Sequence, residues 1–224
     1  MNAFELICLL SVGCGMVCAL GLAAHLVHRP ATMAVMNVVW PVCALFGSWA
    51  IIVLYLRFGN RHDGQPKWAH VAKGSLHCGS GCTLGDIVAE LTVLALPAAA
   101  TAFGWPWLFG DRMFATWVLD TFLAFGFGIA FQYFAIVPMR HLTPREGLLA
   151  AVRADTASLL AWQVGMFGAM AVFQFWLYPH FLGWRPTAAH IQFWFAMQWA
   201  MITGFATSYP VNAWLIRQGL KEAM

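Results

Sequence analysis

The chain has 224 residues, of which 61% are hydrophobic and only 9% are charged. Soluble domains carry about 25% charged residues, so this composition excludes an ordinary soluble fold and predicts a protein embedded in a lipid bilayer. The formal net charge is +3, which is too small to indicate a nucleic-acid partner.

The apolar runs are roughly 20 residues long, which predicts transmembrane helices, because a membrane-spanning barrel strand needs only about 10 residues. Lipid cannot hydrogen-bond to a peptide group, so each span must satisfy its own backbone. We therefore predict one all-α membrane domain over residues 1–224, a polytopic bundle of six transmembrane helices. The predicted helices cover residues 4–27, 33–56, 83–103, 113–137, 154–178 and 189–216.

Lysine and arginine are distributed unequally between the two predicted faces of the membrane. Basic residues are retained in the cytoplasm during insertion, so the richer face is predicted to be cytoplasmic, together with both termini. The poorer face holds Arg29, Arg112 and Arg185. The richer face holds the other nine of the 12 basic residues: Arg57, Arg61, Lys67, Lys73, Arg140, Arg145, Arg153, Arg217 and Lys221.

The stretch HCGSGC at residues 77–82 precedes the third predicted helix on the cytoplasmic side. Thiolate and imidazole groups suit soft transition metals such as copper and zinc, and the glycines permit the backbone to curl around an ion. We predict a copper or zinc site at this mouth, formed by His77, Cys78, Cys82 and Asp86. Three histidines are candidates for further ligation: His62, His70 and His141.

Other interpretations of the same stretch stay open. Thr83 and Asp86 match a helix-capping box, and the spacing of Gly81 and Gly85 permits close approach of a second helix. On that interpretation the cysteines are small residues at a crowded helix entrance. A thiol redox pair is a further interpretation, although a structural disulfide is not expected in the reducing cytoplasm.

Glu90 is difficult to explain as a structural residue, because a carboxylate at membrane depth is costly unless it is protonated, paired or hydrated. If the third helix begins before residue 83, Cys78, Cys82, Asp86 and Glu90 recur at every fourth position and share one face. We then expect a ladder of polar groups leading inward, with Asp120 as a second buried acid. Glu90 and Asp120 are the candidates for a transport path, and no lysine or arginine is predicted at the depth of Glu90.

Two passages resemble a known family: HCGSGCTLGD at 77–86 and TSYPVNAWLIRQGLKEAM at 207–224. They are similar to the patterns HCxxGCxxGD and YPxNxWLIRxGxKExM of a bacterial domain-of-unknown-function family of small integral membrane proteins. The resemblance extends from the third predicted helix to the last residue, about two thirds of the chain. It implies a location in the bacterial inner membrane and leaves the chemistry open.

The leading hypothesis is a membrane protein that binds a soft transition metal and takes part in its transport or homeostasis. One alternative is a structural or accessory subunit of a larger membrane complex, and another is a thiol-based membrane oxidoreductase. The expected partners are the lipid bilayer and either a second membrane protein or a second copy of the chain. Neither haem nor a nucleotide is expected, because the signatures CxxCH and GxxxxGK[ST] do not occur. Binding is expected rather than catalysis, and enzymatic activity stays open.

Overall fold

The computed structural model describes residues 2–59 and 64–221, with the exception of the side chain of Met139. Within these ranges the chain is helical and contains no strand. A π-helical turn, Val172–Leu177, connects two of the helices. The α-helices are α1 (Ala3–His28), α2 (Met36–Phe58), α3 (Lys67–Ala95), α4 (Ala98–Ala102), α5 (Arg112–Arg140), α6 (Pro144–Ala171), α7 (Tyr178–Leu182) and α8 (Ile191–Arg217).

Five helical segments of the described chain are long and apolar enough to cross a membrane: residues 3–28, 36–58, 67–95, 112–138 and 144–182. Many large apolar side chains on the helices point outward, as expected for a surface that contacts lipid tails. Examples are Val17, Val27, Leu56, Phe122 and Val164. The all-helical prediction is confirmed, and the long segments fit a multi-pass membrane protein.

The third helix begins at Lys67, instead of at residue 83 as the hydropathy pattern indicated, and it ends at Ala95. Residues 72–83 are all buried inside the bundle. Small and polar residues there lower the hydropathy without interrupting the helix, because they contact other helices rather than lipid. Thr83 therefore lies in the helix interior, where its hydroxyl donates to the Gly79 carbonyl at 2.7 Å, so it does not cap the helix.

Helix α6 corresponds to the fifth predicted helix, and it also begins earlier than the predicted residue 154. It starts at Pro144, and Thr143 and Glu146 form a capping box at its N-terminus. This box satisfies backbone N–H groups that the first turn leaves without intrahelical partners. As a consequence, Asp155 lies well inside the helix and not at its start.

Glycines bring α3 and α5 into close contact. A Cβ atom on Gly81 would lie 2.6 Å from the backbone nitrogen of Gly128, and one on Gly85 would lie 2.6 Å from that of Ala124. The close helix approach inferred from the spacing of Gly81 and Gly85 is thus confirmed. Helix α3 also contacts α2, α6 and α8, so it is the central helix of the bundle.

Helices α1 and α2 pack together and contact α8 through Gln198. The Gln198 amide nitrogen donates to the Leu45 carbonyl at 2.7 Å, and its oxygen accepts from the Ser11 hydroxyl at 2.8 Å. Helix α2 also contacts α3, where the Cys43 thiol donates to the Leu76 carbonyl at 3.2 Å. These bonds attach the first two helices to the rest of the bundle.

Candidate functional site

A buried ion pair with a thiol in contact lies between α3, α6 and the segment after α8. Lys221 Nζ lies 2.6 Å from Asp155 Oδ1 and 2.7 Å from Cys78 Sγ. Cys78 Sγ lies 2.7 Å from the same oxygen of Asp155. The side chains of Lys221 and Asp155 are fully buried, as is Cys78. We call these three residues the Lys–Asp–Cys cluster.

Lys221 reaches the cluster because the chain reverses direction after α8. Gly219 adopts a positive φ of 68°, and the Leu220 N–H donates to the Leu215 carbonyl at 3.0 Å. This is the long hydrogen bond of a Schellman motif, which glycine at this position permits. The reversal directs Lys221 back into the bundle, where Nζ also lies 3.4 Å from the Gly74 carbonyl.

The neighbours of Lys221 stabilise its positive charge. Burial by itself lowers the pKa of the ammonium group, but Asp155 and Cys78 outweigh it and raise the pKa above the ordinary lysine value. Lys221 is therefore charged inside the bundle, and Asp155 is its counter-ion.

Two uncharged polar side chains extend the cluster. The Asn212 amide donates to Ser158 Oγ at 2.5 Å, and Ser158 Oγ lies 3.1 Å from Cys78 Sγ. Among the described residues, Asp155 Oδ2 has no hydrogen-bond partner although it is buried. A carboxylate oxygen without a donor can still accept a hydrogen bond or bind a cation.

Polar side chains continue from the cluster along one face of α3. Cys78, Cys82, Asp86 and Glu90 follow at every fourth position, so each lies about 6 Å further along the axis and the four span about 18 Å. Cys78, Cys82 and Asp86 are buried, while Glu90 borders a cavity. Because α3 begins before residue 83, the four residues form the expected single face, which we call the α3 stripe.

Asp86 faces a second acid, Asp120 on α5, which adjoins Gln163 on α6. Cys82 lies near both carboxyl groups. Within the described part of the chain, neither oxygen of Asp120 has a hydrogen-bond partner. Two adjacent buried carboxyl groups cannot both ionise at low cost, so this pair is suited to holding a proton or a cation.

Glu90 lies near the end of α3, beside a cavity of about 190 Å³. The positive charge of Arg112 acts on it, so the expectation that no basic residue lies at its depth is wrong. A helix that begins at residue 83 would place Glu90 about two turns, or ~10 Å, below its cytoplasmic entrance. In the structure Glu90 lies close to Ala95, at the opposite end of the helix.

The same cavity is lined by a surface ion pair, Asp111 with Arg185. Asp111 caps α5 by accepting from the Met113 N–H at 2.9 Å, and Arg185 also packs over the Phe175 ring. Partial burial raises the pKa of Asp111, but the hydrogen bond and charge of Arg185 outweigh it, and the pKa lies below the usual aspartate value. Charged groups of both signs therefore surround the Glu90 end of the α3 stripe.

The predicted metal ligands do not converge on one point. His77 and Cys78 are consecutive on a helix, so their side chains diverge by about 100°. The His77 ring packs edge-on against Phe131, whereas Cys78 faces Lys221. In the described ranges, no group of three or more His, Cys, Asp or Glu side chains is placed to hold a metal ion.

The three further histidines are spread over different parts of the chain. His70 lies in the first turns of α3, and His141 follows the last residue of α5 with a φ of 51°. Neither belongs to a metal-ligating group in the part of the chain that the structure describes. His62, like Arg61, lies outside the described residues.

The site predicted from the sequence includes neither Lys221 and Asp155 of the cluster nor Ser158 and Asn212, the two polar side chains that extend it. Lys221 belongs to the basic residues of the predicted cytoplasmic face, and the predicted helix 154–178 has Asp155 as its second residue. A signal was available on α6, where Asp155 and Ser158 are one turn apart, and on α8, where Ser208 and Asn212 are one turn apart. Such spacing places polar side chains on one helix face, which indicates a shared polar contact inside a membrane bundle.

The family described as Domain of unknown function (DUF4396) matches residues 67–221. No curated protein and no solved structure matches the chain. The match begins with the first residue of α3 and ends at Lys221, so it contains the Lys–Asp–Cys cluster and the α3 stripe, while α1 and α2 lie outside it. Since this match covers more than half of the sequence, the chain belongs to the DUF4396 family.

Proposed function

We propose that this protein is a six-span protein of the bacterial inner membrane that moves a soft transition-metal ion, copper or zinc, along the α3 stripe. The observation that carries the proposal is the series of buried thiol and carboxyl groups along α3, at Cys78, Cys82 and Asp86. Ionisable groups inside a membrane are costly, and they commonly mark ion pathways.

The sixth span of this proposal is α8. It has 27 residues, about 40 Å at 1.5 Å per residue, which is sufficient to cross a bilayer. Six spans place both termini on the same side, and the excess of basic residues favours the cytoplasmic side. Two of the nine basic residues on that side, Lys73 and Lys221, have buried side chains, so the argument for orientation rests on the other seven.

The chemistry of the stripe changes along its length. Thiols at Cys78 and Cys82 favour soft metal ions, while the carboxyl groups of Asp86, Asp120 and Glu90 bind cations with less selectivity. A path that is selective at one end and permissive at the other suits an ion that is first captured and then released. The cavity beside Glu90 offers an exit that water can reach.

Metal flux in proteoliposomes tests this function, with a zinc- or copper-sensitive dye enclosed in the vesicles. Glu90→Gln should lower the flux by about tenfold or more, because it removes a charged oxygen donor while keeping the shape of the side chain. Glu146→Gln is the matched control, since Glu146 is exposed at the start of α6 and glutamine can also form a capping box.

Each outcome of the flux experiment has a distinct meaning. If the wild-type protein moves no metal, the transport function is wrong. If Glu90→Gln and wild type move metal equally, the α3 stripe is not the path. Stoichiometric partner chains in the purified protein would favour an accessory subunit instead, and a redox-active chromophore would favour a thiol-based oxidoreductase.

A further inference from the structure

Lys221 occupies a position that suits a metal ion. Three atoms converge on its Nζ: Asp155 Oδ1 at 2.6 Å, Cys78 Sγ at 2.7 Å and the Gly74 carbonyl oxygen at 3.4 Å. An ammonium group has three N–H donors, so these three partners use its full capacity. Carboxylate, thiolate and carbonyl groups are also ligands of metal ions.

Further hydrogen-bond acceptors lie near Lys221 Nζ. Asp155 Oδ2 is buried and, among the described residues, has no hydrogen-bond partner. Asn212 Oδ1 lies 3.9 Å from Cys78 Sγ, close to the same point. A buried carboxylate requires a counter-charge, and here the Lys221 ammonium supplies it.

The residues that surround Nζ lie within helices, whereas Lys221 itself lies in the short segment after α8. Gly74 and Cys78 lie inside the first half of α3, and Asp155 lies inside α6, whereas Lys221 follows the end of α8 at Arg217. Helix interiors are held by many contacts, while a short segment beyond a helix end opens at a lower free-energy cost. Lys221 can therefore leave the pocket while its walls stay in place.

We propose that Lys221 is a tethered cation that occludes a metal site formed by Asp155, Cys78 and the Gly74 carbonyl, and that Zn²⁺ binds there when Lys221 withdraws. The inference deepens the proposed function, on which it rests. Both states are electrically neutral: ammonium with carboxylate and thiol, or Zn²⁺ with carboxylate and thiolate, the thiol proton being released to water. Lys221 thereby closes the α3 stripe at its Cys78 end until a metal ion replaces it.

Zn²⁺ binding to the purified full chain in detergent, measured by equilibrium dialysis at constant pH, tests the occlusion. Lys221→Gln removes the charge and keeps an N–H donor for Asp155. We expect it to bind Zn²⁺ about 10- to 100-fold more tightly than wild type, the usual range of coupling between two ligands. Adding Asp155→Asn should abolish that gain, since it removes the anionic ligand.

Lys73→Gln is the matched control, because Lys73 is a second buried lysine and lies outside the cluster. Its zinc affinity should equal that of wild type. A helical, monodisperse Lys221→Gln protein that binds Zn²⁺ no more tightly than wild type overturns the inference.

A second measurement uses the unaltered protein and so does not depend on the folding of a variant. Trypsin cleaves after lysine, and buried Lys221 should be cut slowly. Saturating Zn²⁺ should accelerate cleavage after Lys221, detected by mass spectrometry. Two controls should show no acceleration: cleavage after Lys221 in the presence of Mg²⁺, and cleavage after Arg217 in the presence of Zn²⁺. A cleavage rate after Lys221 that Zn²⁺ leaves unchanged overturns the inference as well.

Failure of this inference can be distinguished from failure of the proposed function. If wild type moves zinc but Lys221→Gln gains no affinity, the occlusion is wrong and the transport function stands. If Lys221→Gln binds Zn²⁺ more tightly but neither chain moves metal, the occluded site stands and the transport function fails.

Discussion

Replacing Asp155 by asparagine measures how strongly the Lys–Asp–Cys cluster stabilises the bundle. Asp155 Oδ1 lies 2.6 Å from Lys221 Nζ, and both side chains are fully buried. The substitution removes the counter-charge of the Lys221 ammonium, and breaking a buried pair in this way costs about 3–5 kcal/mol. At about 1.4 kcal/mol per factor of ten, the folding equilibrium constant falls by about 100- to 4000-fold.

The free energy of unfolding can be measured in mixed micelles of increasing SDS content, with helicity followed by circular dichroism. The double variant Asp155→Asn with Lys221→Gln should lose less stability than the sum of the single variants, because it leaves no uncompensated charge. We expect a coupling energy of about 2 kcal/mol between the two positions. An Asp155→Asn variant that loses less than about 1 kcal/mol, the value of an exposed ion pair, would refute the reasoning.

Two further predictions concern helix contact and acid stability. Gly81→Ala places a Cβ 2.6 Å from the backbone of Gly128 and should lower the free energy of unfolding by about 1–3 kcal/mol. Gly126→Ala is its control, because a Cβ there would have nothing within 4 Å. Equal losses of stability in the two variants would contradict the close contact of α3 and α5. The partly exposed pair of Asp111 and Arg185 should contribute about 0.2–1 kcal/mol. Because the pKa of Asp111 is lowered in the folded protein, this contribution is present above the ordinary aspartate pKa and is lost as the pH falls through the folded-state pKa. The unfolding free energies of wild type and Asp111→Asn should therefore converge as the pH falls below the ordinary aspartate pKa of about 3.9, and a constant difference would exclude this role.

The position of Glu90 shows where hydropathy misleads. Hydropathy detects contact with lipid, so it marks apolar helix surfaces well and central helices poorly. The first half of α3 contacts other helices through glycine, serine and cysteine, and these residues read as a polar linker. Once the helix begins at Lys67, the same four-residue spacing still places Cys78, Cys82, Asp86 and Glu90 on one face, but Glu90 moves to the opposite end.

The metal site predicted at residues 77–86 shows that neighbours in the sequence need not share a binding site. His77 and Cys78 are neighbours in the chain, and that suggested a shared ion. In a helix, neighbours point in different directions, and Cys78 instead contacts Asp155, 77 positions away, and Lys221, 143 positions away. Chain distance carries no information about such contacts, because they depend on how three separate segments pack.

The amino-acid sequence by itself determined that the chain is helical and suited to a membrane, because hydrocarbon requires long apolar segments that satisfy their own backbone. It also determined the four-residue spacing of Cys78, Cys82, Asp86 and Glu90, which places them on one face of any helix that contains all four. Only the tertiary structure decided where α3 begins and which groups face its thiols and acids. The Lys–Asp–Cys cluster is the clearest case: a buried charge is stable only beside its counter-charge, and the packing of α3 and α6 with the turn after α8 brings the two together.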